Sequence, residues 1–172
     1  MSLVFSENAK RRFDLIVGRY PNRQAALLPV LHLAQAEFGH VSPEVMDFVG
    51  HLLGVPPIKV QQVATFYTMY NLAPVGRFHV QVCTNISCYL TGGKEILCHL
   101  KQKLGLENKG TTADGVFTLE EVECLAACGT APALQVNDPH DPEWPIAYHE
   151  NQTVASADAL IERLRAKAGS NG

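Results

Sequence analysis

The sequence predicts an α/β chain in two parts, a four-helix unit over residues 1–76 followed by a small α/β domain over residues 77–172. Three observations predict it. Up to Tyr70 apolar side chains recur every three or four positions, which is the period of a helix. After Gly76 the period drops to two, the mark of strands. Between them Asn71-Leu72-Ala73-Pro74-Val75-Gly76 holds two strong helix breakers and reads as a linker.

In the first part, Phe13, Ile16, Val17 and Tyr20 keep helical spacing until Pro21-Asn22. A second helix runs from about Gln24 to Phe38, with a kink expected at Pro29 and a stop at Gly39. Ser42-Pro43 is a hydroxyl cap followed by proline at the first helical position, opening a third helix that carries Val45, Phe48, Val49 and Leu52 and stops at Gly54. Pro56-Pro57 opens a fourth, whose expected stripe is Val60, Val63, Tyr67 and Tyr70, leaving Phe66 and Met69 pointing elsewhere. These four pack as a small bundle. In the second part, Phe78, Val80 and Val82 alternate with His79, Gln81 and Cys83 in a strand expected to be half-buried. Thr91 to Leu104 reads as a helix with Ile96, Leu97, Leu100 and Leu104 on one face and Gly105 as its stop. Strands follow around Val116–Val122, Ala133–Asn137 and Ile146–Tyr148, with a polar loop up to Pro145, and Ser156 is placed as the cap of a last helix. Strand, helix, three strands and helix fit a small sandwich such as a thioredoxin-like domain. There are no internal repeats.

Composition narrows the function. The 172 residues are 47% hydrophobic but only 18% charged, against roughly a quarter for ordinary soluble domains. The surface is therefore charge-poor, which suits a chain partly covered by another protein. A formal net charge of −3 without any Lys/Arg cluster argues against nucleic acid as a partner. The longest apolar stretch, Ala25–Ala34, contains Pro29 and His32 and is far shorter than the roughly 20 residues a bilayer requires, so no membrane insertion is expected. Met1–Arg12 reaches Lys10, Arg11 and Arg12 without an apolar core, so no secretory leader is visible and a cytosolic setting is expected.

Four of the five cysteines form two pairs, Cys83-x4-Cys88 and Cys124-x3-Cys128, each just after a strand. Two strand ends of one sheet can bring such loops to a common edge and surround one point with four thiolates. That donor set suits a [2Fe–2S] cluster, which takes two thiolates on each iron. Ala126, Ala127 and Gly129 are small enough for close backbone approach, and a helix start near Thr91 would direct positive dipole toward an anionic group. Structural zinc would use the same thiolates, although spacings of x4 and x3 are less usual for it than x2. A thiol–disulfide enzyme would normally show Cys-x-x-Cys, absent here, and two spaced pairs fit poorly with inert buried cysteines. Cys98 falls on the polar face of its helix and reads as an ordinary thiol. His79, His99 and His149 have no ligand spacing to a cysteine and read as structural or exposed, which disfavours a Rieske-type centre. In the Phe66–Tyr70 run, Tyr67 and Tyr70 read as a core stripe rather than a cofactor stack. Gly92-Gly93 is a weak hint of phosphate binding, and no Gly-rich nucleotide fingerprint is present. Without a substrate site of its own, a one-cluster chain is a relay.

Three segments carry a resemblance: Cys83-Thr84-Asn85-Ile86-Ser87-Cys88, Asp114-Gly115-Val116-Phe117-Thr118, and Glu123-Cys124-Leu125-Ala126-Ala127-Cys128-Gly129-Thr130-Ala131-Pro132. With Leu31-His32-Leu33-Ala34-Gln35, Ala64-Thr65-Phe66-Tyr67 and Tyr148-His149-Glu150-Asn151, they are similar to the thioredoxin-like [2Fe–2S] subunit of respiratory NADH:quinone oxidoreductase over nearly the whole chain. The resemblance implies a thioredoxin-like [2Fe–2S] ferredoxin domain after the helical unit, with one cluster on Cys83, Cys88, Cys124 and Cys128. It implies no catalytic residue in this chain, and a neighbouring subunit that holds FMN, NADH and a [4Fe–4S] cluster. It also implies a place at the cytoplasmic face of the membrane, within the complex. NAD-dependent formate dehydrogenases and NAD-reducing hydrogenases have small subunits of the same family, and a zinc-held interaction module or a free-standing dimeric ferredoxin are further alternatives. Ala126 stands where a glycine is common in that family, and the His140–Pro145 loop is of a variable kind. The alanine bears on hydrogen bonding to the cluster, not on ligation.

Overall fold

A computed structural model describes residues 3–139, 141 and 145–169. The loop expected to be variable, His140–Pro145, therefore lies outside the described residues apart from Asp141 and Pro145. The chain forms two compact units, one up to Pro74 and the other from Val75 onward.

The first unit contains α1 (Glu7–Val17), α2 (Leu27–Phe38), α3 (Pro43–Leu53) and α4 (Pro57–Phe66), with a single 3-10 turn, Gln24–Ala26, before α2. Ser6 and Ser42 cap α1 and α3 by accepting the backbone N–H groups of Ala9 and Val45, and Gly54 ends α3 in a left-handed conformation. Val30, Leu31, Ala34, Val49 and Val60 form the fully buried centre. Three sequence expectations fail here. Tyr20 lies beyond α1, which closes at Gly18. Pro29 is the third residue of α2, where a backbone N–H has no intrahelical acceptor, so the proline opens the helix rather than kinking it. Finally, α4 stops at Phe66 because Tyr67 is extended. The pull is tertiary: Tyr70 is buried from a turn, its hydroxyl donating to Leu28 O at 2.9 Å. Phe66 and Met69 are left exposed. Past Tyr70, Asn71 is tied to this unit, its N–H donating to Gln35 Oε1 at 2.6 Å.

The second unit is a five-stranded sheet in the order β2-β3-β1-β4-β5, made of β1 (Phe78–Cys83), β2 (Gly110–Thr111), β3 (Phe117–Val122), β4 (Leu134–Asn137) and β5 (Ile146–His149). Its helices are α5 (Ile86–Leu90), α6 (Gly93–Leu104) and α7 (Val154–Gly169). The two-residue β2 was not foreseen. β1 is central, parallel to β3 and antiparallel to β4. Phe78, Val80 and Val82 face a core built with Ile96, Leu97 and Leu100 of α6 and Leu160 and Ile161 of α7. β1 is not half-buried as alternation suggested; all six residues are buried. Its second face is filled by a bonded polar network: His79 Nε2 meets Glu120 Oε2 at 2.8 Å, and Gln81 Nε2 donates to the same oxygen at 3.0 Å. A buried strand can carry polar residues only when they are satisfied in this way.

The helix expected over Thr91–Leu104 is present as α6, while the short α5 before it was not foreseen. Asn85 caps the short α5, Gly92 turns left-handed at φ 106°, and α6 starts afresh at Gly93. Ser156 is not the cap of α7. Thr153 precedes the helix and bonds reciprocally with it, Ser156 N–H donating to Thr153 Oγ1 at 3.1 Å and Thr153 N–H to Ser156 Oγ at 2.9 Å, in the manner of a capping box. Among the described residues no helix is long and apolar enough to cross a membrane.

Candidate metal centre

The register of two parallel strands builds the site. Cys83 closes β1 and is paired with Val122, which closes β3. Two parallel neighbours end at the same side of a sheet, so the loops that follow them leave together. Thr84 N–H donates to Val122 O at 3.2 Å, and Thr84 Oγ1 to Glu121 Oε1 at 2.9 Å, which holds the two exits side by side. On the other flank Cys83 N–H donates to Ala133 O at 3.2 Å, so the segment returning toward β4 also borders Cys83.

Cys88 sits on α5, one turn beyond β1, and is buried with Cys83 and Ala133, each about 2% exposed or less. Val122, Leu125, Ala127 and Ala131 pack around them. Burial, then the neighbouring Cys83 thiol, push the Cys88 thiol above its ordinary pKa, and the Cys128 thiol adds to the effect. Apolar burial favours the neutral thiol, and a metal that takes the place of the proton reverses the preference. Cys128 opens a 3-10 turn, Cys128–Thr130, and Cys124 lies two residues past β3; both are exposed. Ala126, between them, has φ 58° and its N–H donates to Cys124 Sγ at 3.3 Å. This is a local bond from the main chain to a cysteine sulfur. All five cysteines are free thiols.

The structure thus brings Cys83 and Cys88 together, sets Cys128 within electrostatic reach, and carries Cys124 on the same loop as Cys128. Among the described residues no three His, Cys, Asp or Glu side chains are gathered tightly enough for a single metal ion. A binuclear cluster takes its thiolates as two pairs on two irons, and two pairs on adjoining loops is the arrangement present. The donors fit such a group: soft sulfur only, in an apolar lining, with a backbone amide aimed at one sulfur.

The other candidates separate cleanly. Cys98 is exposed on α6. His79 is held by Glu120, and His99 Nε2 meets Asp158 Oδ1 at 2.8 Å; burial, with Arg163 adding, lowers the pKa of His149. Fold geometry accounts for both glycines: Gly92 has φ 106°, and a Cβ on Gly93 would lie 2.8 Å from both Cys83 O and Cys88 O. Sequence reasoning missed that role, and the double glycine shortly after Cys88 was its only signal. It also missed the tethers of the second loop. Asn151 N–H donates to Thr130 O at 2.7 Å and Gln152 N–H to Pro132 O at 2.9 Å; these bonds are made by backbone and leave no mark in the side-chain pattern.

A family model for thioredoxin-like [2Fe–2S] ferredoxins matches residues 13–165. The chain is 43% identical over 157 residues to a Rhizobium meliloti protein named as a second E subunit of NADH-quinone oxidoreductase, covering 91% of this chain and 89% of that one. It is 45% identical over 150 residues to the E subunit of the Mycobacterium bovis NADH-quinone oxidoreductase, where 87% of this chain spans 56% of a longer relative. Among solved structures, an air-oxidized NAD+-reducing [NiFe]-hydrogenase superposes with a TM-score of 0.67 at 21% identity, over 82% of this chain and 23% of that one, a likeness of fold alone. On the match across residues 13–165, with the two cysteine pairs at adjoining strand ends, the chain belongs to the thioredoxin-like [2Fe–2S] ferredoxin family.

Proposed function

We propose that this chain is the electron-transfer subunit of an NADH:quinone oxidoreductase, with Cys83, Cys88, Cys124 and Cys128 as the ligands of one [2Fe–2S] cluster. The observation that carries the ligand assignment is the pairing of Cys83 with Val122 at the ends of two parallel strands, from which both cysteine loops leave. Relatives at 40–45% identity, each named as a subunit of NADH-quinone oxidoreductase, support the assignment to that complex. Bound there, a [2Fe–2S] cluster supplies one-electron transfer. The residues of this chain hold it and tune it. Cys83 and Cys88 give a dry, sheet-anchored pair, the Ala126 amide relieves charge on Cys124, and the apolar lining of Val122, Leu125 and Ala131 limits water. A one-electron cluster cannot accept a hydride, so the two-electron step is left to a flavin on a neighbouring subunit. The partner is therefore an FMN- and NADH-binding flavoprotein subunit, and the chain sits at the cytoplasmic face of the membrane only through the complex.

Anaerobic purification followed by iron, sulfide and zinc analysis tests the ligand set, with electron paramagnetic resonance of the dithionite-reduced protein reporting cluster type. A red-brown protein with a [2Fe–2S] signal is expected. A colourless, zinc-loaded one overturns the reading. Pull-down from the host membrane fraction tests the partner: a chain that never associates with a flavoprotein is no subunit of such a complex.

A further inference from the structure

Gly93 starts α6 and is buried. Glycine is demanded there by space, not by backbone angle, since Gly93 is not among the positive-φ glycines of the chain. An added Cβ would meet Cys83 O and Cys88 O, both at 2.8 Å, and the Cys88 carbonyl carbon at 3.1 Å. All three are backbone atoms that cannot swing aside. Its neighbour Gly92 differs, with only the flexible end of Glu95 nearby at 3.5 Å and a φ of 106°. One Cα therefore touches the main chain of both residues of the buried thiol pair.

We propose that Gly93 is a positioning residue for the Cys83–Cys88 pair: its missing side chain seats the start of α6 against both carbonyls and so fixes how far apart the two sulfurs lie. This rests on the reading that those two cysteines are ligands. The two sides of the contact differ in stiffness. Cys83 is locked into the sheet through Ala133 O and the neighbouring Thr84–Val122 bond. Cys88 is carried by a five-residue helix whose far end is held by Thr91 Oγ1 donating to Ser87 O at 2.8 Å. A side chain at position 93 thus displaces α5, by roughly the 0.6 Å that separates 2.8 Å from an ordinary contact of 3.4 Å. Metal–ligand distances tolerate only about 0.2 Å, so the displacement is felt at the sulfur.

The full chain is prepared anaerobically as the native protein, as Gly93→Ala and as Gly105→Ala. Gly105 ends the same helix with φ 65° and nothing within 4 Å of an added Cβ, so alanine there strains the backbone without touching the cysteines. Iron and sulfide content, electron paramagnetic resonance g-values and the lifetime of the visible absorbance under a chelator are measured, with far-ultraviolet circular dichroism of each apo chain. Gly105→Ala is expected to unfold more readily yet keep native g-values and lifetime. Gly93→Ala is expected to keep its apo circular dichroism, show shifted g-values, and lose the cluster at least tenfold faster. A Gly93→Ala protein with native g-values and lifetime overturns the proposal. So does one whose apo chain fails to fold, because the role is then in folding and not in positioning. A native chain that takes up no iron overturns the ligand reading and this inference together.

Discussion

The two cysteine pairs are close in sequence spacing and opposite in setting. Cys83 and Cys88 are about 2% exposed, on a central strand and the helix that follows it, whereas Cys124 and Cys128 are exposed on irregular chain. The first pair is placed by the fold itself. Its main chain is bonded on one flank to Ala133 and on the other, through Thr84, to Val122, and α6 is packed against it. The second pair is placed by tethers: Thr130 N–H to Ala127 O, Asn151 N–H to Thr130 O and Gln152 N–H to Pro132 O. One half of the site is therefore part of the folding unit, and the other half is a loop the fold holds by its ends. The thiols of the first pair contribute to stability whether or not a metal is bound. Those of the second are exposed, and beyond the Ala126 N–H bond to Cys124 Sγ their contribution is expected through the metal.

Serine substitution breaks the comparison most directly. Under the proposed ligation, each of Cys83→Ser, Cys88→Ser, Cys124→Ser and Cys128→Ser removes most of the bound iron. The apo chains are expected to divide. A hydroxyl at position 83 or 88 enters an apolar cluster of Ala133, Val122 and Leu125 and costs about 1–3 kcal/mol if it finds no partner. At positions 124 and 128 the change is to an exposed side chain, where about 0.5 kcal/mol either way is usual. Urea unfolding of the four apo variants reads the split; equal destabilisation in all four would show that the pairs are equally structural. Cys98→Ser, exposed on α6, is expected to alter neither iron content nor stability.

A second test acts on the strand pair from which both loops leave. β1 is fastened to β3 by Glu120, which takes His79 and Gln81 on one oxygen and Lys109 Nζ at 3.2 Å on the other. Burial opposes ionisation of Glu120, but the bonds from His79 and Gln81, the charge of His79 and the bond from Lys109 outweigh it and pull its pKa down from 4.5 to about 2. The sign follows from the depressed value: the stabilisation is complete above about pH 4.5 and is lost as pH falls toward 2. At about 1.4 kcal/mol per pKa unit the loss is on the order of 3 kcal/mol. Apo protein unfolded in urea between pH 6 and pH 2 is expected to show this slope, and Glu120→Gln to flatten it. An unchanged slope in the variant would place the acid sensitivity elsewhere.

Much of this site was legible in the sequence because its signals are local. Cysteine spacing, a strand before each pair and the small residues between Cys124 and Cys128 lie within a few positions of one another, and the two strands they follow do end side by side in one sheet. The helical unit was legible for the same reason, through Ser42-Pro43 and the apolar stripes. What failed depended on residues far apart in the chain. Tyr70 leaves the helical stripe because Leu28 O lies within reach of its hydroxyl. β1 looks half-buried because alternation records polarity, and polarity here is hidden by a hydrogen-bonded network rather than by solvent. Gly93 was visible as a letter, but its reason is a contact with two carbonyls that only the packed chain reveals.

The smallest expected effect bears on the tethered half. Ala126 holds φ 58°, a left-handed conformation that costs a residue with a Cβ about 1–2 kcal/mol. Glycine adopts it without that cost but gives up roughly 0.5–1 kcal/mol through the freer unfolded chain. Ala126→Gly should therefore stabilise the apo chain slightly, by about 0–1.5 kcal/mol. Its consequence for the site is more informative. The alanine restricts the loop from which its own N–H reaches Cys124 Sγ at 3.3 Å, and amide-to-sulfur bonds raise the reduction potential of an iron–sulfur centre. A looser loop keeps that bond for less of the time, so the midpoint potential of the variant is expected to fall slightly below the native value in a redox titration followed by electron paramagnetic resonance. A potential that rises instead would mean that the native alanine holds the amide away from its best alignment, and that the exposed half of the site is strained by its fold as firmly as the buried half is supported by it.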